Sequence, residues 1–149
     1  MKDLLEFISI FTKKKFDIIE IKKRFFIANK EQIEMMEKIK EKEGIVPEMV
    51  GTFLGEISKK KFKPSLALLE LLARHSERKV FVDDKAEWLF LCGKDVFKES
   101  VKKCNVKSGL VLVQNKKDEN LGYGKIVRKG KVFVLNLMDR GDFLRRERR

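Results

Sequence analysis

The densest chemistry in this 149-residue chain lies between Lys125 and Arg149, in the run KIVRKGKVFVLNLMDRGDFLRRERR. Nine of its side chains are basic (Lys125, Arg128, Lys129, Lys131, Arg140, Arg145, Arg146, Arg148, Arg149) and three are acidic (Asp139, Asp142, Glu147), a net +6 and half of the +12 carried by the whole chain. Arginine forks match phosphate oxygens, and every neutralised phosphate releases counterions, so Lys and Arg clustered on a rigid element favour a polyanion. The competing reading is a solvated face or frayed terminus, and it is strongest for Arg148 and Arg149.

Other chemistry is sparse. Cys92 and Cys104 give no disulfide framework, and with the single histidine, His75, they do not assemble a zinc site. His75 has no nucleophile or carboxylate in a catalytic spacing and reads as a helix-terminal residue that favours the dipole. The stretch Leu121-Gly122-Tyr123-Gly124 lacks the third glycine, the following helix and the downstream acid of a dinucleotide fingerprint. Two readings of it stand. The glycines let a backbone or nucleotide approach while Tyr123 offers a ring face, or they mark a bulge with Tyr123 half in the core.

The elements that must hold these groups follow from periodicity. Leu4, Leu5, Ile8 and Phe11, widened by Phe7, mark a first helix over residues 2–12. Phe16 to Ile21 and Arg24 to Ala28 read as a hairpin reversing at Lys22 and Lys23, although the turn lacks Asn-Gly. Asn29 with Gln32 forms a capping box for a helix to about Glu43, its apolar side carrying Ile33, Met36 and Ile39, and Gly44 ends it. Val46 to Ile57 is expected as one bulged strand. Lys59 to Lys61 then turn the chain, and Pro64 with Ser65 opens a Leu-rich helix to about His75. The Lys59 to Lys63 cluster reads more readily as a soluble turn than as a binding surface.

Near Ser76 to Arg78 the composition becomes strand-rich. Residues 1–77 carry 16 basic and 13 acidic side chains, net +3, whereas residues 78–149 carry 19 and 10, net +9. The expected division is therefore 1–77 and 78–149. In the second part Lys79 to Val82 is a strand, and Asp83 and Asp84 cap a helix over Lys85 to Cys92 that bears Trp88. Val96 to Val101, Val106 to Val113, the LGYGKIV segment and Lys131 to Leu137 are further strands, the last expected to be buried because Val132, Phe133, Val134, Leu135 and Leu137 are all apolar. Many short strands in so few residues imply a compact β-barrel-like module, and the fold class is α+β with an N-terminal α/β domain.

A length of 149 residues with 43% hydrophobic side chains supports two small cores. No run approaches the length of a membrane span, so a soluble chain is expected. Cysteine usage fits a reducing, intracellular compartment, and the Lys- and Glu-rich composition is similar to that of thermophilic cytosolic proteins.

Taken in order, FLCGKDVFKESV (Phe90 to Val101), GLVLV (Gly109 to Val113), LGYGKI (Leu121 to Ile126) and DRGDFLRRER (Asp139 to Arg148) resemble the C-terminal PUA domain of the Nip-seven ribosome-biogenesis family. VGTFLGEISKKKFKPSLALLELLA and KVFVDDKAEWLFLCG resemble its first domain and domain junction, so the likeness runs from about Arg24 onward. The chain departs from the family at Cys92, where an aromatic residue is usual, and at Asn120, where a proline is usual. The resemblance implies a non-enzymatic factor without a cofactor or metal, acting in maturation of large-subunit ribosomal RNA. The RNA-binding residues it implies are Lys125, Arg128, Lys131, Arg140, Arg145, Arg146 and Tyr123, mainly through phosphate contacts. It further implies a monomer that holds ribosomal precursor RNA through its PUA domain and docks other assembly or RNA-processing proteins through its N-terminal domain. The place of action is the cytoplasm in a prokaryote and the nucleolus in a eukaryote. Two rivals are an RNA-binding subunit of an RNA-modifying enzyme and a protein-docking module.

Overall fold

The structure, a computed structural model, describes residues 1–44, 51–142 and 145. Its contacts divide the chain into two compact units, Met1–Leu68 and Leu69–Arg149. The division falls inside a helix, ahead of the change in composition at Ser76 to Arg78.

The first unit opens with α1 (Lys2–Phe11), whose buried side is Leu4, Phe7, Ile8 and Phe11. Leu5, expected on that side, is half exposed, because Phe7 is the residue that reaches the sheet, with its ring 5.5 Å from that of Phe62. Four strands follow as an antiparallel meander: β1 (Ile18–Ile21), β2 (Arg24–Ile27), β3 (Thr52–Ser58) and β4 (Lys61–Pro64). Lys22 and Lys23 both adopt positive φ, 49° and 65°, so the hairpin forms with the twist of a primed turn despite lacking glycine. Lys59 and Lys60 repeat that geometry at 49° and 64°. They return the chain into β4, a strand where a direct entry into the helix was expected. The segment KFKP hides this strand because it is short, lysine-rich and ends in proline, which is confined to sheet edges. A bulge opposite Phe25 and Phe26 interrupts β3 as expected. The part of the expected strand from Val46 to Val50 lies outside the described residues.

Between β2 and β3 runs α2 (Lys30–Glu43). Its capping box is complete: the Gln32 amide donates to Asn29 Oδ1 at 2.8 Å and the Asn29 amide to Gln32 Oε1 at 2.9 Å, while Gly44 closes the helix in the left-handed region. The Ser65 hydroxyl accepts from the Leu68 amide and thereby caps α3 (Leu66–His75).

The second unit contains the rest of α3, then β5 (Lys79–Val82), α4 (Asp84–Leu91), β6 (Val96–Phe97), β7 (Val101–Cys104), β8 (Gly109–Gln114), β9 (Asn120–Lys129) and β10 (Val132–Asp139). Asp83 caps α4 by accepting from the Ala86 amide at 2.8 Å. The six strands form one mixed sheet in the order β6-β10-β9-β8-β5-β7, with β5 and β8 parallel. The expected strand from Val96 to Val101 is broken by a 3-10 turn at Lys98–Ser100. That turn carries the chain from one edge of the sheet to the other, a step that works because the sheet curls into a half-barrel around its own core. Val80, Val82, Val96, Val111, Val113, Ile126 and Val134 fill the concave side, and α4 adds Ala86 and Phe90. β10 is not buried on both faces: Val134 is fully buried, but Leu135 and Leu137 are 38% and 48% exposed. An apolar run therefore marks this strand without telling its two faces apart.

Candidate nucleic-acid interface

The hairpin of β9 and β10 organises the basic segment. At its base the chain needs two glycines. A Cβ on Gly122, whose φ is +146°, would stand 1.9 Å from the Met138 carbonyl oxygen, and one on Gly124 would stand 2.2 Å from that of Leu135. The backbone of β10 occupies that space, so close strand approach explains the glycines. Tyr123, between them, pairs in register with Leu112 on one side and Met138 on the other and is half-buried. Burial raises its phenol above the usual value of 10.0. The structure thus favours the bulged, half-core reading of this stretch, with register shifts in β10 between Asn136 and Met138.

Farther along the hairpin the side chains turn outward. Lys125 is exposed and sits between Leu110 and Leu135 in the register of the three strands. Arg128 takes a positive φ of 49° at the end of β9 and holds its guanidinium 5.4 Å from the centre of the Phe133 ring. That contact anchors the group and leaves its donors available. Lys131 lies exposed in the turn, and its carbonyl accepts from the Lys98 amide at 2.9 Å. Lys125, Arg128 and Lys131 therefore share one hairpin.

Arg140 and Arg145 stand at the opposite end of β10, roughly 25–30 Å from Lys131 along the strand. Both are engaged. Arg140 donates through Nε to the Asn120 carbonyl and lies 2.9 Å from a Glu70 carboxylate oxygen. Arg145 donates to the Leu91 carbonyl and to both oxygens of the buried Asp139, each at 3.2 Å, with Asp142 at 3.6 Å. The hydrogen bonds to Asp139 raise its pKa further above an already high value. Asp139 also accepts from the Asp142 amide at 2.8 Å and from Asn136 Nδ2 at 3.1 Å. Arg146, Arg148 and Arg149 lie outside the described residues.

These two arginines border a cleft of about 1140 Å³ between α3, α4 and the β8–β9 loop. Its walls carry residues that charge counting passed over. Lys79 is buried and pairs with Asp118 at 3.1 Å. Burial pushes the Asp118 carboxyl up, but hydrogen bonds from Gln114 and Lys79 and the Lys79 charge together hold it below its usual 3.8. Asn120 is buried, donating to Gln114 Oε1 and the Gly122 carbonyl, while its Oδ1 has no partner among the described residues. Trp88, the one tryptophan, is 67% exposed on the cleft wall. A helical wheel shows the signal: Trp88 falls opposite Ala86 and Phe90, the inward pair at four-residue spacing. Among the described residues no group of three or more His, Cys, Asp or Glu could hold a metal ion, and no helix is long and apolar enough to cross a membrane.

A curled mixed sheet with one covering helix and a basic hairpin is the architecture of a PUA module. Residues 78–148 match the UPF0113 PUA domain. A UPF0113 protein of Archaeoglobus fulgidus is 34% identical over 113 residues, a match that covers 68% of this chain and 64% of that protein. In fold, the chain is similar to a conserved PUA domain protein from Thermoplasma acidophilum, with a TM-score of 0.54 and 18% identity over 98% of this chain and 92% of that one. A hypothetical protein from the hyperthermophilic archaeon Pyrococcus horikoshii gives a TM-score of 0.50 and 20% identity, covering 95% of each. A PUA domain points to RNA as the ligand.

Proposed function

We propose that this chain is an RNA-binding adaptor of the Nip-seven kind, without catalytic activity of its own, that acts in maturation of large-subunit ribosomal RNA. The observation that carries the reading is the group of exposed cations Lys125, Arg128 and Lys131, fixed on one hairpin of a PUA domain. A rigid hairpin presents these charges to a phosphate backbone from defined positions, and backbone contacts carry no sequence information, so many sequences are tolerated. The first unit, with 15 basic and 11 acidic side chains and thus only net +4, is the part we assign to docking other assembly factors. The chain acts as a monomer in the cytoplasm; the relatives named above come from archaea, which have no nucleus.

Crosslinking the full-length chain to RNA in cells and sequencing the attached RNA tests the assignment. Crosslinks concentrated on large-subunit precursor RNA are expected. Crosslinks spread over transfer RNA would instead favour a subunit of an RNA-modifying enzyme.

A further inference from the structure

The cleft beside Trp88 differs in character from the basic hairpin. Its ionic groups are matched: Lys79 with Asp118 at 3.1 Å, Arg140 with Glu70 at 2.9 Å, and Arg145 with Asp139. Asn115 Nδ2 donates to both Glu87 and Glu119, each at 3.0 Å. A phosphate entering here would meet cations already taken and carboxylates that repel it. The cleft offers instead the exposed indole of Trp88 and walls of fixed donors and acceptors with charges of both signs. That combination suits a flat, neutral heterocycle that stacks on one face and hydrogen-bonds along its edge. Exposed Arg74 on the rim and Lys117 on the β8–β9 loop supply cations for phosphates on either side.

We infer that Trp88 and this cleft seat a single unpaired nucleobase of a bound RNA strand, a role that rests on the RNA-binding reading above. A base within a duplex is stacked on both faces and cannot present one to the indole, so the seat selects single-stranded RNA.

Because the chain has one tryptophan, its emission reports on this site alone. The experiment titrates the full-length protein with single-stranded RNA pentamers and with a blunt RNA duplex of the same composition. The single strands should quench Trp88 saturably and the duplex should not. Trp88→Ala should weaken single-strand binding about 5- to 150-fold, Trp88→Phe should retain most of it, and neither should change the salt slope, since no phosphate contact is lost. Circular dichroism should be unchanged in both, as Trp88 is largely exposed. Salt-sensitive RNA binding with undisturbed emission and full affinity in Trp88→Ala would overturn the seat and leave the RNA reading intact, with the indole then free for a protein partner. Equal quenching by the duplex would also overturn it. If neither RNA binds at low salt, both readings fall.

Discussion

Arg145 donates to the Leu91 carbonyl and to both oxygens of Asp139, whereas Lys125 and Lys131 stand exposed on the hairpin. Charge counting treats these three side chains alike; their partners do not. Asp139 lies six residues before Arg145, a separation that places them together neither on one helix face nor across one strand pair, so the pairing is invisible before folding. The exposure of Lys125 is legible from strand alternation, and the outward position of Trp88 from the helical spacing of Ala86 and Phe90. At this scale, Asp139→Ala should lower stability by about 1.5–3 kcal/mol through loss of the charge-assisted bonds to the Asp142 amide and Asn136, read as a shift of the urea midpoint. Tyr123 permits a second prediction because it is the one tyrosine. Its folded pKa is raised, so between the ordinary value of 10.0 and the folded value the unfolded chain loses a proton that the folded chain keeps. The contribution of Tyr123 to stability should thus be intact below pH 10 and decline as pH climbs above it. Absorbance near 295 nm should show phenolate forming later in the folded chain than in urea.

Among the elements, those with a local chemical signature were the ones the sequence displayed. The capping box at Asn29, the left-handed Gly44 and the Asp83 cap each stand where side-chain chemistry placed them. β4 was missed because four residues with two lysines and a proline carry no periodicity, and it exists only because β3 supplies a partner from Ser58 to Gly55. The expected strand from Val96 to Val101 covers β6 but only the first residue of β7, because nothing in VFKESVKKC announces that the chain changes sheet edges. Asp83→Ala should cost about 1 kcal/mol by removing the bond to the Ala86 amide, measured by denaturant unfolding. Gly122→Ala should be more severe, about 2–5 kcal/mol, since strain at φ +146° adds to a collision with the Met138 carbonyl. Hydrogen exchange should show the loss concentrated in β9 and β10.

For the whole molecule, the uneven charge of net +3 against net +9 was the most informative feature of the sequence, and the half-barrel gives it a physical form. The second unit separates two kinds of surface at the two ends of β10: free cations on the hairpin and a charge-matched cleft beside α4. We assign phosphate recognition to the first, where Lys125, Arg128 and Lys131 are all exposed on one hairpin. Equilibrium binding of single-stranded RNA across a salt series, for the full-length chain and for the triple variant Lys125→Ala, Arg128→Ala, Lys131→Ala, tests the hairpin as the phosphate-binding surface. Weaker binding to every sequence tried is expected, with a log K against log salt slope reduced by about 2 to 3. An unchanged affinity and slope would contradict it and move the RNA-binding surface away from the hairpin.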